Sequence, residues 1–347
     1  MMRQNLSFYF FGMGNRDKFL YKSGQLFRIG EMQPVRQWNV AREVILPDQY
    51  RVELTTANGV SVVIVEDEHA LTLLDGEEKI ILSEGALSLP DFKGNRYAPI
   101  LRVLHQEMLF HISGGLPLPN LFVYKTPWYR DAAMVCMCLQ KTGNLSLIRN
   151  WVLSLSAPYD QNNAGNCEPD NLGQALYLIS AVSDASHPLV PAILQEAQRI
   201  SKDRHLCGLS DFAPHPVYQT KWLKFGLGQL HLPDTYAIPQ VPDSYDALFW
   251  WDYRDAHCDC PRFDETTVKL YPYLGWAQSH FYHEAPPMEL LAPTYPYTWE
   301  QEASQADYAP LRILSASYVN SRRSPSHTWH AAEAFLYLYE RGADGNP

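Results

Sequence analysis

The chain has 347 residues, 46% of them hydrophobic and 19% charged, with a formal net charge of −10. That composition is globular, and the length suffices for two domains or for one large domain with an appendage. The acidic balance lacks the basic footprint of a nucleic-acid binder, and no apolar run reaches the roughly 18 residues of a membrane-spanning helix. The charge fits a neutral ligand or simple solubility, and neither nucleic acid nor membrane is expected as a partner.

At the start, Met1-Met2-Arg3 leads to a short apolar run from Leu6 to Met13. Polar residues follow from Asn15 with no small-residue cleavage site, so no signal peptide is read there. Gly12-x-Gly14 lacks the third glycine and the βαβ setting of a dinucleotide or phosphate loop. Arg51 to Thr56 alternates at period two, Asn58-Gly59 follows, and Val60 to Val65 runs back. Asn-Gly between two such runs is a strong hairpin signal, because both residues tolerate positive φ. Leu71–Leu74 and Lys79–Leu82 make a second hairpin around Asp75-Gly76. Residues 1–97 are therefore read as a small N-terminal antiparallel β domain.

From Ile100 the apolar spacing becomes helical. Helices are expected near 98–113, 128–142, 144–155, 169–183, 188–202, 216–229, 243–254, 270–283, 299–316 and 325–341, separated by polar, proline-rich loops. Some carry a mixed face, such as 188–202, and read as outer helices. Others open on a polar-aromatic cluster and continue apolar on all sides, such as 128–142, 169–183 and 325–341; a helix of that kind is buried all round. The pattern predicts helical hairpins with an outer shell covering an inner one. Cys136 and Cys138 fall on such an apolar helix and read as core. His257-Cys258-Asp259-Cys260 has no second pair at zinc spacing, so no metal and no cofactor are expected. Free thiols without a signal make the cytoplasm the expected location.

Trp128-Tyr129-Arg130-Asp131 places an aromatic ring, a guanidinium and a carboxylate at one helix start. Such a set can stack on a pyranose and hydrogen-bond its hydroxyls. Related clusters recur at Glu168-Pro169-Asp170-Asn171, Asp243-Ser244-Tyr245-Asp246, Tyr297-Thr298-Trp299-Glu300-Gln301-Glu302 and Ser326-His327-Thr328-Trp329-His330. Trp128-x-Arg130-Asp131 resembles the Trp-x-Arg-Asp motif of the six-hairpin, (α/α)6-toroid glycosidases, which include the glucoamylase group. The Asp243–Trp250 segment is similar to the Gly-aromatic-Asp segment that supplies the general acid in trehalase-like members, with Ser244 in place of the glycine. The resemblance spans about 125–341 and implies a mainly α protein: residues 98–347 as an (α/α)6-type toroid, short for six full hairpins, behind the β domain.

The implied activity is hydrolysis of a small oligosaccharide or glycoside, with inversion. One protonated acid protonates the leaving oxygen while an ionised carboxylate activates water, the two held roughly 6.5–9.5 Å apart. Asp246, among Tyr245, Phe249 and Trp250, is the expected acid, with Asp243 behind it; Glu300 is the expected base, with Glu302 second. Trp128, Arg130, Asp131, Asp170, Asn171, Trp250, Trp299, Trp329 and His330 are expected to hold the sugar. Each has a structural alternative: capping for Asp243, dipole complementation for Asp246, solvated surface for Glu300 and Glu302, core packing for the tryptophans. Two other activities suit the same residues. One is a uronate-acting lyase or sugar epimerase using His and Tyr, and the other is carbohydrate binding without turnover.

Overall fold

In a computed structural model, the chain is described over residues 6–31, 33–243, 245, 264–266, 295, 298–301, 309–325 and 327–342. The chain opens with two antiparallel sheets. β1 (Phe8–Phe11), β2 (Phe19–Lys22), β3 (Gln25–Arg28) and β4 (Arg36–Gln37) form the first, in that order. β5 (Val40–Leu46), β6 (Arg51–Thr56), β7 (Ser61–Glu66), β8 (Ala70–Asp75) and β9 (Glu78–Glu84) form the second, also in chain order. The expected Asn58-Gly59 hairpin joins β6 to β7, with Gly59 at φ +84°, and Gly76 at +61° turns β8 into β9. Period-two patterning sends Val52, Leu54, Val62, Ile64, Leu71 and Leu73 to one face. They share a core with Tyr9, Phe11 and Tyr21 of the first sheet. Full burial of each such side chain stabilises by about 1.5–3 kcal/mol.

Eight helices follow among the described residues. They are α1 (Ala98–Phe110), α2 (Tyr129–Thr142), α3 (Arg149–Leu153), α4 (Asp170–Val182), α5 (Val190–Ile200), α6 (Pro216–Gln229), α7 (Ala316–Asn320) and α8 (Thr328–Gly342). Short ribbons punctuate them: β10 (Ile112–Ser113) with β11 (Leu116–Pro117), β12 (Ser201–Lys202) with β13 (His205–Leu206), β14 (Leu209–Ser210) with β15 (Ala213–Pro214), and β16 (Glu300–Gln301) with β17 (Arg323–Ser324). α1 packs on α8, α8 on α2, α2 on α4 and α4 on α6. α2 and α4 run the same way, because Arg130 meets Asp170 at one end and Tyr177 bonds Gln140 at the other. α4 and α6 touch backbone to backbone at Gly173 and Gly226; a Cβ on Gly226 would lie 2.6 Å from the Gly173 carbonyl oxygen. α5 is the amphipathic outer helix its sequence predicts, burying Val190, Ile193 and Ala197 and exposing the rest of its length in part or fully.

The mainly α toroid with a small β domain is not what this chain forms. Helix accounts for 37% and strand for 22%, and the antiparallel sheets include one of five strands. Three features explain the difference. The expected helix at 144–155 breaks into a 3-10 turn at Leu145–Leu147 and the five-residue α3. The expected helix at 299–316 contains β16, a 3-10 segment at Ala309–Ile313 and only the start of α7. The end of the helix expected at 188–202 and the loop expected after it form two ribbons, β12–β13 and β14–β15. The β core also reaches past residue 97, taking in Val103, Phe110, Phe122, Tyr295, Leu311 and Leu314. Of the helix expected at 243–254 only Asp243 and Tyr245 are described; the rest of it, the helix expected at 270–283, Asp246, Trp250, Glu302 and the 257–260 cysteine cluster lie outside the described residues.

Candidate functional site

The starts of α2, α4, α6 and α8 meet, and none carries a side-chain cap from its own N-cap residue in α2, α4 or α6. The exposed N–H groups of a helix start need acceptors, and its positive dipole end favours carboxylates. Here the acceptors come from other segments. Asp160, in the loop before α4, accepts the Tyr129 N–H at 2.6 Å. Asp243 accepts the Val217 and Tyr218 N–H groups at 3.0 and 3.1 Å, and takes His215 Nδ1 at 2.8 Å on its other oxygen. Asp131, inside α2, accepts the Trp329 N–H and the Thr328 hydroxyl, both at 3.3 Å. These three exchanges tie the helix starts into one corner.

At the centre of the corner is Arg130. Its Nε and Nη2 each lie 3.0 Å from Asp170 Oδ2, its Nη1 lies 2.5 Å from Asp211 Oδ2, and Glu168 Oε1 is 3.6 Å from Nη2. The guanidinium carbon sits over the Tyr218 and Trp329 rings at 5.9 and 6.0 Å. Asp170 is buried and shared further, with Ser210 Oγ at 2.5 Å and Gln174 Nε2 at 2.8 Å. Asn171 points into the scaffold, accepting the Asp160 N–H and donating to Gln174.

Asp211 is the member of this set that reaches solvent, its side chain 32% exposed. It sits at the tip of the β14–β15 ribbon, where Asp211 and Phe212 have φ +49° and +65°. A two-residue turn of this kind needs positive φ at both positions, and Phe adopts it only under strain. Asn163 Nδ2 donates to its Oδ1 at 3.0 Å, and the Tyr245 hydroxyl donates to its Oδ2 at 3.1 Å. Burial alone would push the Asp211 carboxyl up; Arg130 and the bonds from Arg130 and Tyr245 outweigh it and hold the group below the usual range. Its neighbours go the other way. Burial raises Glu168, with Arg130 opposing and Asp170 adding, and burial raises Asp160.

Beside Arg130 lies an aromatic group. Trp128 is half-buried, with the Tyr124 and His327 rings edge-on to it, each at 5.2 Å. His327 bridges Asp131 Oδ2 at 3.1 Å and the Tyr124 hydroxyl at 2.8 Å. Trp329 is buried against Arg130 and His330, and burial holds His330 well below its ordinary value, so its ring is neutral.

The expected residues therefore divide. Trp128, Arg130, Asp131, Asp170, Asn171, Trp329 and His330 come together. Asp243 joins the same corner, but its carboxylate is wholly buried and occupied in capping α6. Trp299 packs instead in the β core, against Phe8, Phe10 and Tyr318. Glu300 is placed by its backbone in β16, paired with Ser324. Sequence reasoning passed over Asp211, Asp160 and Tyr124; at Asp211-Phe212 no glycine marks the turn. No family model, curated protein or solved structure matches the chain.

Proposed function

We propose that the chain binds a neutral carbohydrate at the Arg130 corner and hydrolyses its glycosidic bond. The observation that carries this reading is Asp211: a partly exposed carboxylate, kept ionised by Arg130 and Tyr245, in the corner where the start of α2 carries the half-buried Trp128. Hydrolysis needs an ionised group to activate water and a protonated one to release the leaving oxygen. Asp211 takes the first role, which sequence reading gave to Glu300. Asp246, one residue beyond the tyrosine that bonds Asp211, takes the second. Trp128 supplies the stacking face.

Electrostatics favours a neutral substrate over a uronate. Arg130, the guanidinium that would neutralise a uronate, is already matched by Asp170, Asp211 and Glu168, with Asp131 and Asp160 close by. An added carboxylate would meet a net negative field. The test is a panel of nitrophenyl glycosides assayed with the wild-type chain and with Asp211→Asn, Asp246→Asn and Glu300→Gln. Asp211→Asn and Asp246→Asn should each lose turnover by about 10²–10⁴-fold, the usual weight of one acid or base. Wild-type rates in Asp211→Asn, or no turnover of any glycoside by the wild-type chain, would remove the hydrolase reading.

A further inference from the structure

The two oxygens of Asp211 are not equivalent. Oδ2 accepts Arg130 Nη1 at 2.5 Å and the Tyr245 hydroxyl at 3.1 Å. Among the described residues, Oδ1 accepts Asn163 Nδ2 alone, at 3.0 Å. A carboxylate oxygen has two lone pairs, so these bonds fill Oδ2 and leave Oδ1 room for one more donor. With 32% of the side chain exposed, Oδ1 is the oxygen left for a water.

Tyr245 is held from several sides. Its ring lies flat on that of His215, with centroids 3.7 Å apart and planes 8° from parallel, and Tyr218 meets it edge-on at 5.6 Å. Its N–H donates to Asp243 Oδ1 at 2.9 Å. The same oxygen takes His215 Nδ1 at 2.8 Å; a carboxylate only accepts, so the imidazole is the donor. Asp243 therefore fixes both the backbone of Tyr245 and the ring beneath its phenol. Burial, with Asp211 beside it, pushes the Tyr245 hydroxyl up, so the phenol keeps its proton and donates.

We infer that Tyr245 is a positioning residue for Asp211, seated on a His215–Asp243 platform, and that with Arg130 it secures Oδ2 so that Oδ1 takes the proton of the attacking water. This deepens the hydrolase reading given above and rests on it for the identity of the reaction. The water oxygen bonds to the anomeric carbon as its proton passes to Oδ1. The bond to the leaving oxygen breaks, and its electron pair takes the proton delivered by the acid assigned to Asp246. One donor alone would let the carboxylate turn about its Cβ–Cγ bond. Two donors on Oδ2, from α2 and from the segment after α6, fix where Oδ1 lies.

Among the described residues, the charged and titratable groups facing Asp211 are Arg130 from α2, Glu168 from the chain before α4, Tyr218 from α6, His327 from the chain before α8, and Tyr245. Burial works to raise the Asp211 carboxyl, and Arg130 and then Tyr245 hold it down. Tyr245→Phe removes one hydroxyl and leaves the other groups in place, so a change in the titration of Asp211 belongs to that bond.

The experiment is ¹³C NMR of the Asp211 side-chain carboxyl from about pH 2 to 7, assigned by its absence from Asp211→Asn. It is run on the wild-type chain, Tyr245→Phe, His215→Ala and the double variant, with circular dichroism as the check on folding. In the wild-type chain the carboxyl should titrate below the ordinary carboxylate range. Tyr245→Phe and His215→Ala should each move it to higher pH, and the double variant should move it no further than Tyr245→Phe, because His215 acts through the hydroxyl. With a nitrophenyl glycoside at pH 7, Tyr245→Phe should lower kcat roughly tenfold with KM little changed, the weight of one hydrogen bond to a charged group. An Asp211 titration in Tyr245→Phe that coincides with wild type, or a His215→Ala effect that adds in full to that of Tyr245→Phe, overturns the inference. Titrations as expected without turnover of any glycoside by the wild-type chain support the positioning of the carboxylate and overturn the hydrolase reading together with the role given to Oδ1.

Discussion

Arg130→Met tests whether the corner is held by charge. Methionine keeps much of the length of the arginine stem and removes the cation. The wild-type guanidinium faces Asp170, whose side chain has no exposed surface, Glu168 at 4% and Asp211 at 32%. Without it, Asp170 keeps its bonds from Ser210 and Gln174 but loses its counter-charge. Deleting one partner of a buried pair leaves the other uncompensated and costs about 3–5 kcal/mol. Unfolding entropy of about 2.1 cal/mol/K per residue comes to roughly 0.7 kcal/mol/K over a chain of this length, so the melting temperature should fall by about 4–7 °C. Urea unfolding followed by circular dichroism measures the free energy, and calorimetry measures the temperature. The loss should be full at neutral pH and shrink as pH falls through the folded value of Asp211, which lies below its ordinary one. A penalty under about 1 kcal/mol at pH 7, or one that does not change with acid, would refute the charge-centred account, because a surface pair behaves that way.

Gly173→Ala should cost about 3 kcal/mol or more, since the new methyl group would fall inside the Trp222 backbone at the α4–α6 contact; a melting curve like that of wild type would contradict the close approach. Asp243→Ala should cost about 2–4 kcal/mol, by uncapping α6 and leaving His215 without its acceptor. Amide exchange should then speed up first at Val217 and Tyr218, and unchanged exchange there would sink the capping role. Asp211 has a folded value below its unfolded one of 3.8. Its contribution to stability is therefore present above that value and lost as pH falls through the lower folded one, so the stability gap between wild type and Asp211→Asn should close in acid, and a gap independent of pH would contradict the arginine pairing.

Much of the local structure could be read from the chain. The Asn58-Gly59 hairpin, the starts of α2, α4, α6 and α8 and the exposed face of α5 follow from turn chemistry and apolar spacing. What could not be read is whatever depends on partners far apart in sequence. The β14–β15 ribbon turns on Asp211-Phe212, and β12–β13 on Asp203-Arg204, with positive φ at all four positions and no glycine. Such turns are held by tertiary contacts, here Glu168 accepting the Asp211 N–H at 2.6 Å. The 299–316 stretch has helical apolar spacing, yet Trp299 packs in the β core against Phe8 and Phe10, and Glu300–Gln301 beside it pairs as a short strand with Arg323–Ser324. The roles of the carboxylates were hidden for the same reason. Asp131, Asp160 and Asp243 each cap a helix that begins dozens of residues away or across a loop, and no local pattern distinguishes a cap of that kind from a catalytic acid.

Saturation-transfer NMR on a mixed set of neutral methyl glycosides and hexuronic acids, with wild-type chain and Trp128→Ala side by side, tests the central claim most directly. Transfer to neutral sugars, weak or absent transfer to uronates, and loss of the neutral signal in Trp128→Ala are the expected results. Transfer confined to uronates, or neutral-sugar binding that survives Trp128→Ala unchanged, would contradict the assignment of the Arg130 corner as a neutral-carbohydrate site.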